Sequence, residues 1–143
     1  MISETQESRL PLALLALRVT VFIVFLLWTL DKFVNPGHAG AVYERFYLIG
    51  GLGELVFLII GLAEMVLILA FLAGVYKRWT YGVVLVIHAI STLSTWQLYL
   101  DPFNNLLFFA AWPMLGACWA LYLLRDADTL MTLNLGNPDP ASG

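Results

Sequence analysis

Three ionisable side chains stand inside otherwise apolar runs: Arg18 in LLALRVTVFIVFLL, Glu64 in IIGLAEMVLIL and His88 in VVLVIHAI. A carboxyl and an imidazole are the side chains that trade protons most readily around neutral pH, and a guanidinium beside them supplies a fixed counter-charge. If the runs are membrane helices, such residues are costly there and mark either function or a pairing that holds the fold. Counted at 1.5 Å per residue from one shared face of a bilayer, Arg18 lies about 12 Å deep, His88 about 14 Å and Glu64 about 15 Å. The common depth predicts an Arg18–Glu64 ion pair with His88 beside it. Glu64 and His88 are then the candidate catalytic, proton-handling groups, with Arg18 as counter-charge. The same pair has a purely structural alternative, in which it only fixes helix register.

Glu64 has an echo in the stretch GLGELVFLIIGLAE, where Glu54 precedes it by ten residues. Glu54 falls about 6 Å from the opposite face, near Lys32, Asp101, Asn104 and Asn105, and these five residues are expected to form an outer cluster. Pro113 removes a helical hydrogen bond near Trp112 and is expected to kink or loosen its helix. The aromatic residues around it offer a flat apolar slot, so Arg18, Glu64, His88 and Trp112 form a candidate quinone site. An aromatic stripe at helical spacing equally describes ordinary core.

The elements that must carry these residues are helices. Of 143 residues, 61% are hydrophobic and 12% charged, a membrane composition. Runs at 10–30, 51–73, 79–100 and 105–124 are each long enough to cross a hydrocarbon core of about 30 Å. The fold class expected is an all-α membrane protein, a bundle of four transmembrane helices forming a single domain over 1–143. Arg9, Lys77, Arg78 and Arg125 lie on the side of the termini and Lys32 and Arg45 on the other, so both termini are expected in the cytoplasm. At 100° per residue, inward faces gather Arg18, Phe22, Phe25, Thr29 and Lys32 on span one, and Gly50, Gly53, Glu54, Phe57, Gly61 and Glu64 on span two. Span three gathers Tyr81, His88, Ser91, Thr92, Thr95 and Tyr99. Span four gathers Asn105, Phe108, Phe109, Trp112, Gly116 and Trp119.

Between the first two spans, Asn35-Pro36-Gly37 ends one helix. Ala39, Val42, Tyr43, Phe46 and Ile49 then recur at helical spacing, predicting a short amphipathic outer helix. The Pro-, Gly- and Asp-rich end of the chain is expected to be disordered.

Several functions are excluded on composition. A net charge of -3 without a Lys/Arg cluster leaves nothing to grip nucleic acid. A single cysteine, Cys118, rules out an internal disulfide or a C-x-x-C pair. His38 and His88 fall at different depths, so they do not make a bis-histidine haem site, and two His and one Cys are too dispersed for zinc or copper; no metal site is expected.

Leu17-Arg18 early in span one, Lys32 after the aromatic run LLWTLDKF, and GLAEMVLILAFLAGVYKRW with Glu64, Gly74, Lys77 and Arg78 together resemble the DoxX family of small four-helix bacterial membrane proteins. The resemblance runs over roughly residues 10 to 124. It departs in the aromatic outer connection and in the DPFNN turn. It implies a four-helix bundle in the bacterial inner membrane, associated with membrane redox systems that feed quinone. The function expected is therefore a small membrane subunit of an oxidoreductase system that binds quinone or handles protons, with the lipid bilayer and other redox subunits as partners. An assembly or interaction factor and a small ion or weak-acid carrier are the alternatives.

Overall fold

A computed structural model describes residues 4–133 and 135–137, and the described chain is all-helical. Helix α1 (Glu4–Val34) has 31 residues and ends at Asn35, whose side chain caps the next helix by accepting from the His38 amide. Helix α2 (Pro36–Val42) starts on proline, where the missing amide costs nothing. It then widens into a π-helical turn, Tyr43–Tyr47, closed by Leu48 in the left-handed conformation. The amphipathic outer helix is thus present but short, with Ala39 its buried residue and Ile49 exposed.

Helix α3 (Glu54–Leu72) is followed by a tight turn and helix α4 (Lys77–Ser94). The expected third span stops at Thr95, and Trp96–Tyr99 form a separate one-turn helix, α5. Short 3-10 turns at Pro102–Asn104 and Leu106–Ala110 lead into α6 (Ala111–Leu123). Pro113 therefore sits in the first turn of α6, just after the helical run that begins at Leu106 changes from 3-10 to α, so the expected disturbance takes the form of that change.

The four long helices form a ring in which α1 packs on α3 and α6, and α4 packs on the same two from the far side. Neighbours run antiparallel: Thr29 of α1 meets Glu64 of α3, while Arg18 lies beside Gly74 past the end of α3. The core cluster includes Leu14, Val21 and Phe25 of α1, Ile68 and Phe71 of α3, Tyr81 and Val84 of α4, and Cys118 and Leu121 of α6. Arg9–Val34, Glu54–Leu72 and Leu106–Leu123 are long and apolar enough to cross a membrane.

The inward faces expected for the first three long helices include residues the fold buries: Phe25 and Thr29, Phe57 and Gly61, Tyr81, His88 and Thr92. That of the fourth is not. α6 turns Cys118 and Leu121 inward and leaves Trp112 and Trp119 about half-exposed. Where the surroundings are as apolar as the core, aromatic bulk gains nothing from turning inward, and smaller side chains allow closer helix packing.

After α6 the chain folds back. Leu133 N–H donates to the Ala73 carbonyl and Tyr76 N–H to that of Leu135, pinning this strap across the α3–α4 turn. The Asn137 side chain accepts from Lys77 N–H and donates to the Gly74 carbonyl. The part of the tail expected to be disordered, 138–143, lies outside the described residues.

Candidate functional site

Polar groups occupy three levels along the inside of the bundle. At the strap end, the Arg18 guanidinium is fully buried and its Nη1 lies 3.2 Å from Asp128 Oδ2. Tyr81 donates to the same oxygen at 2.7 Å. Arg18 Nη2 donates to the carbonyls of Leu130 and Met131, and Lys77 Nζ donates to the Asp128 carbonyl at 2.6 Å. One carboxylate on a non-helical segment thus gathers donors from α1 and α4.

The middle level is His88, its ring edge-on to Phe25 at 6.2 Å between centroids. His88 Nε2 is 3.0 Å from the Ala111 carbonyl, which only accepts, so Nε2 carries the proton. This bond ties α4 to the start of α6.

The third level, toward the α1–α3 connection, is an ion pair between Lys32 Nζ and Glu64 Oε2 at 2.8 Å, with side chains 8% and 16% exposed. Thr29, fully buried, donates to the same oxygen at 3.3 Å, and Lys32 Nζ also donates to the Trp28 carbonyl one turn back. The predicted Arg18–Glu64 pair does not form. Helical side chains lean toward the helix N-terminus, so on antiparallel α1 and α3 the Arg18 and Glu64 side chains point apart, whereas Lys32 and Glu64 point together. Depth is also corrected, because Thr29 is the α1 residue level with Glu64 and Arg18 lies eleven residues, about 16 Å, further toward the strap. Counting from the ends of hydrophobic runs assumed that they start in one plane, and 31-residue α1 overhangs 19-residue α3.

Above the ion pair, α2 and the start of α3 border an open groove of about 430 Å³. Pro36, Gly37, Gly40 and Ala41 line one side, Gly51–Glu54 the other, with Glu44 at its rim and Phe57 in its wall. Phe57 is 1% exposed and packs edge-on against Tyr43 at 5.2 Å, whose ring centroid is 6.0 Å from Lys32 Nζ. Tyr43 therefore links the Phe57 wall of the groove to the ion pair. Burial, reinforced by the negative charge of Glu64, pushes its phenol up to about 12. The α2 wall is fixed to α1 by a His38–Asp31 contact of 2.7 Å and by His38 stacking on Trp28.

The five residues of the predicted outer cluster fall into three places. Lys32 belongs to the ion pair and Glu54 to the groove. Asp101, Asn104 and Asn105 form a local turn, in which Asn104 Nδ2 donates to Asp101 Oδ2 at 2.8 Å and Asn105 Nδ2 to the Asp101 carbonyl at 2.9 Å. The four residues of the candidate quinone site do not converge either: Arg18 is bound to Asp128, Glu64 to Lys32 and His88 to Ala111, while Trp112 packs on Tyr99 at 5.5 Å. Sequence reasoning missed Asp128 and Tyr81 as partners of Arg18. The available signal was that a buried Arg needs an acid, and Asp126 and Asp128 follow the last span closely.

In comparisons with known proteins, no family model, no curated protein and no solved structure matches the chain. The likeness to DoxX rests on the residues quoted for it.

Proposed function

We propose that this chain is a four-span protein of the bacterial cytoplasmic membrane, with both termini cytoplasmic, that handles protons for an oxidoreductase system through Lys32 and Glu64. The observation that carries this reading is the interhelical Lys32–Glu64 pair, nearly buried yet linked through Tyr43 to Phe57 in the wall of an open acidic groove. The three apolar helices support the membrane setting. α4 completes the ring as the fourth span, and it reads as less apolar because Thr80, Tyr81, His88 and Thr92 are turned inward. The Arg/Lys asymmetry supports the orientation, and the redox association rests on the resemblance to DoxX.

The chemistry follows from charge balance. A proton placed on Glu64 leaves the Lys32 ammonium without a counter-ion in a site of low dielectric, which is costly. Proton uptake is therefore favoured when an anion replaces the carboxylate beside Lys32. A weak acid or a quinol that enters protonated past Glu44 and Glu54 at the groove meets this requirement, giving its proton to Glu64 and leaving its anion beside Lys32. The test uses purified protein in vesicles with an internal pH dye, challenged with weak acids, alongside organic extraction for bound quinone. Glu64→Gln is expected to abolish proton-coupled uptake or quinone retention. The proposal is overturned if neither is seen with the wild type, or if both survive the substitution.

A further inference from the structure

The strap that follows α6 is built inside out. Several of its polar groups face the bundle: the Asp128 carboxylate binds Arg18 and Tyr81, the carbonyls of Leu130 and Met131 bind Arg18, and the Asn137 side chain closes the α3–α4 turn. Its apolar side chains face away, with Met131 83%, Leu133 57% and Leu135 61% exposed. Tyr76 and Trp79, on the turn that the strap crosses, are 54% and 70% exposed. A cap bathed in water has the opposite polarity, since isolated exposed apolar residues are ordinary but a contiguous set of them is not.

The position of this patch says what covers it. It lies where the apolar α3 ends at Leu72 and where α4 begins at Lys77, at the level where a bilayer's hydrocarbon gives way to headgroups. Trp and Tyr favour that level because an apolar ring with one polar edge suits it. Leu69 of α3 and Val83 of α4, about one turn further along their helices from this patch, are also exposed, at 50% and 41%. We infer that the strap, through Met131, Leu133 and Leu135 together with Tyr76 and Trp79, is an interfacial anchor immersed in the acyl–headgroup boundary of the cytoplasmic leaflet. Its occupant is lipid. Immersion removes these side chains from water, while the backbone carbonyls of Leu130, Met131 and Leu135 are satisfied inward by Arg18 and by the Tyr76 N–H of the α3–α4 turn, which lowers the cost of placing non-helical backbone at the membrane boundary. The buried Arg18–Asp128 pair is thereby the clamp that holds the anchor to the bundle.

The inference rests on the membrane reading proposed above, and the experiment separates the two. Full-length chain carrying Cys118→Ser is labelled with a nitroxide at Leu133→Cys, Leu135→Cys, Asp126→Cys or Leu62→Cys, one at a time. Each protein is placed as single copies in nanodiscs of zwitterionic lipid. Accessibility to oxygen, which concentrates in lipid, is compared with accessibility to a water-soluble nickel chelate. The labels at 133 and 135 are expected to shift toward oxygen relative to the label at 126, approaching the label at 62 on the outward face of α3. Labels at 133 and 135 that match position 126 overturn the anchor while leaving the membrane reading intact. Labels shielded from both agents also overturn it, because protein then covers the strap. A label at 62 that favours the nickel chelate overturns the membrane reading and the anchor together.

Discussion

Lys32 and Glu64 meet at 2.8 Å across the α1–α3 interface, with the Thr29 hydroxyl on the same carboxylate oxygen. Both side chains are nearly buried, so either one alone becomes an uncompensated charge. Removing one partner of a buried pair costs about 3–5 kcal/mol, while replacing both with apolar residues of similar volume is often neutral. Lys32→Met alone is expected to destabilise the protein by an amount at the lower end of that range, because some solvent reaches Glu64. Adding Glu64→Met should restore much of the loss. Arg18→Gln should give no such rescue of Glu64→Gln. Thermal unfolding in one detergent measures these variants together with Glu64→Met alone, and additive losses for Lys32 and Glu64 would sink the pairing.

The Arg18–Asp128 clamp predicts a local effect as well as a global one. Asp128→Ala leaves a fully buried guanidinium without its carboxylate, at a cost of about 3–5 kcal/mol. The strap should then release before the bundle unfolds, seen as faster amide exchange over 130–137 than in α3. Arg18 Nε and Asp128 Oδ1 are buried without partners among the described residues, so the wild-type clamp is itself incompletely satisfied. Arg18→Met with Asp128→Leu should therefore recover stability, and uniform exchange across the chain in Asp128→Ala would contradict the clamp.

The different legibility of these two pairs has a physical cause. Helix faces could be read from sequence because rotation about a helix axis is fixed at 100° per residue, and so Phe25, Thr29, Phe57, Tyr81, His88 and Thr92 fell correctly on inward faces. Depth could not, because it depends on how far each helix slides past its neighbour, and α1 slid by about 13 Å relative to the plane assumed. The slide moved Arg18 from Glu64 to the strap. Asp128 itself was invisible to periodicity because the strap is not helical. α6 was misread for a third reason: in an apolar surrounding, hydrophobicity does not tell an inward Trp112 from an outward one. The groove arises from how the outer connection folds, and only Glu54 hinted at it.

Two glycines should respond oppositely to alanine. Gly74 has φ +63°, and a Cβ there would lie 2.6 Å from Thr132 Cγ2 and 3.0 Å from Arg18 Nη1. The left-handed conformation alone costs a non-glycine residue roughly 1–2 kcal/mol, and the contacts add to it by pushing on both strap and clamp. Gly116 lies within α6, where an added Cβ meets nothing within 4 Å. Alanine there should be neutral or stabilising by up to about 1 kcal/mol, from helix propensity. Parallel melting curves of Gly74→Ala and Gly116→Ala decide the matter, and equal shifts would contradict the strap's close approach to the turn.

Tyr43 predicts an alkaline limb in stability. Its phenol is pushed up to about 12 in the folded protein, by burial first and by Glu64 second, against about 10 when the chain is unfolded. Below pH 10 the group is protonated in both states and contributes no pH dependence. Between pH 10 and 12 the unfolded state loses its proton while the folded state keeps it, so this ionisation favours unfolding as pH rises. Tyr43→Phe removes that limb. The difference in unfolding temperature between wild type and Tyr43→Phe should be flat below pH 10, then drift in favour of the phenylalanine variant up to pH 12. Glu64→Gln should shrink the drift, because it removes the negative charge that helps hold the proton on Tyr43. A difference curve that stays flat throughout would mean that Tyr43 ionises freely, and that the ring does not link the groove wall to the ion pair.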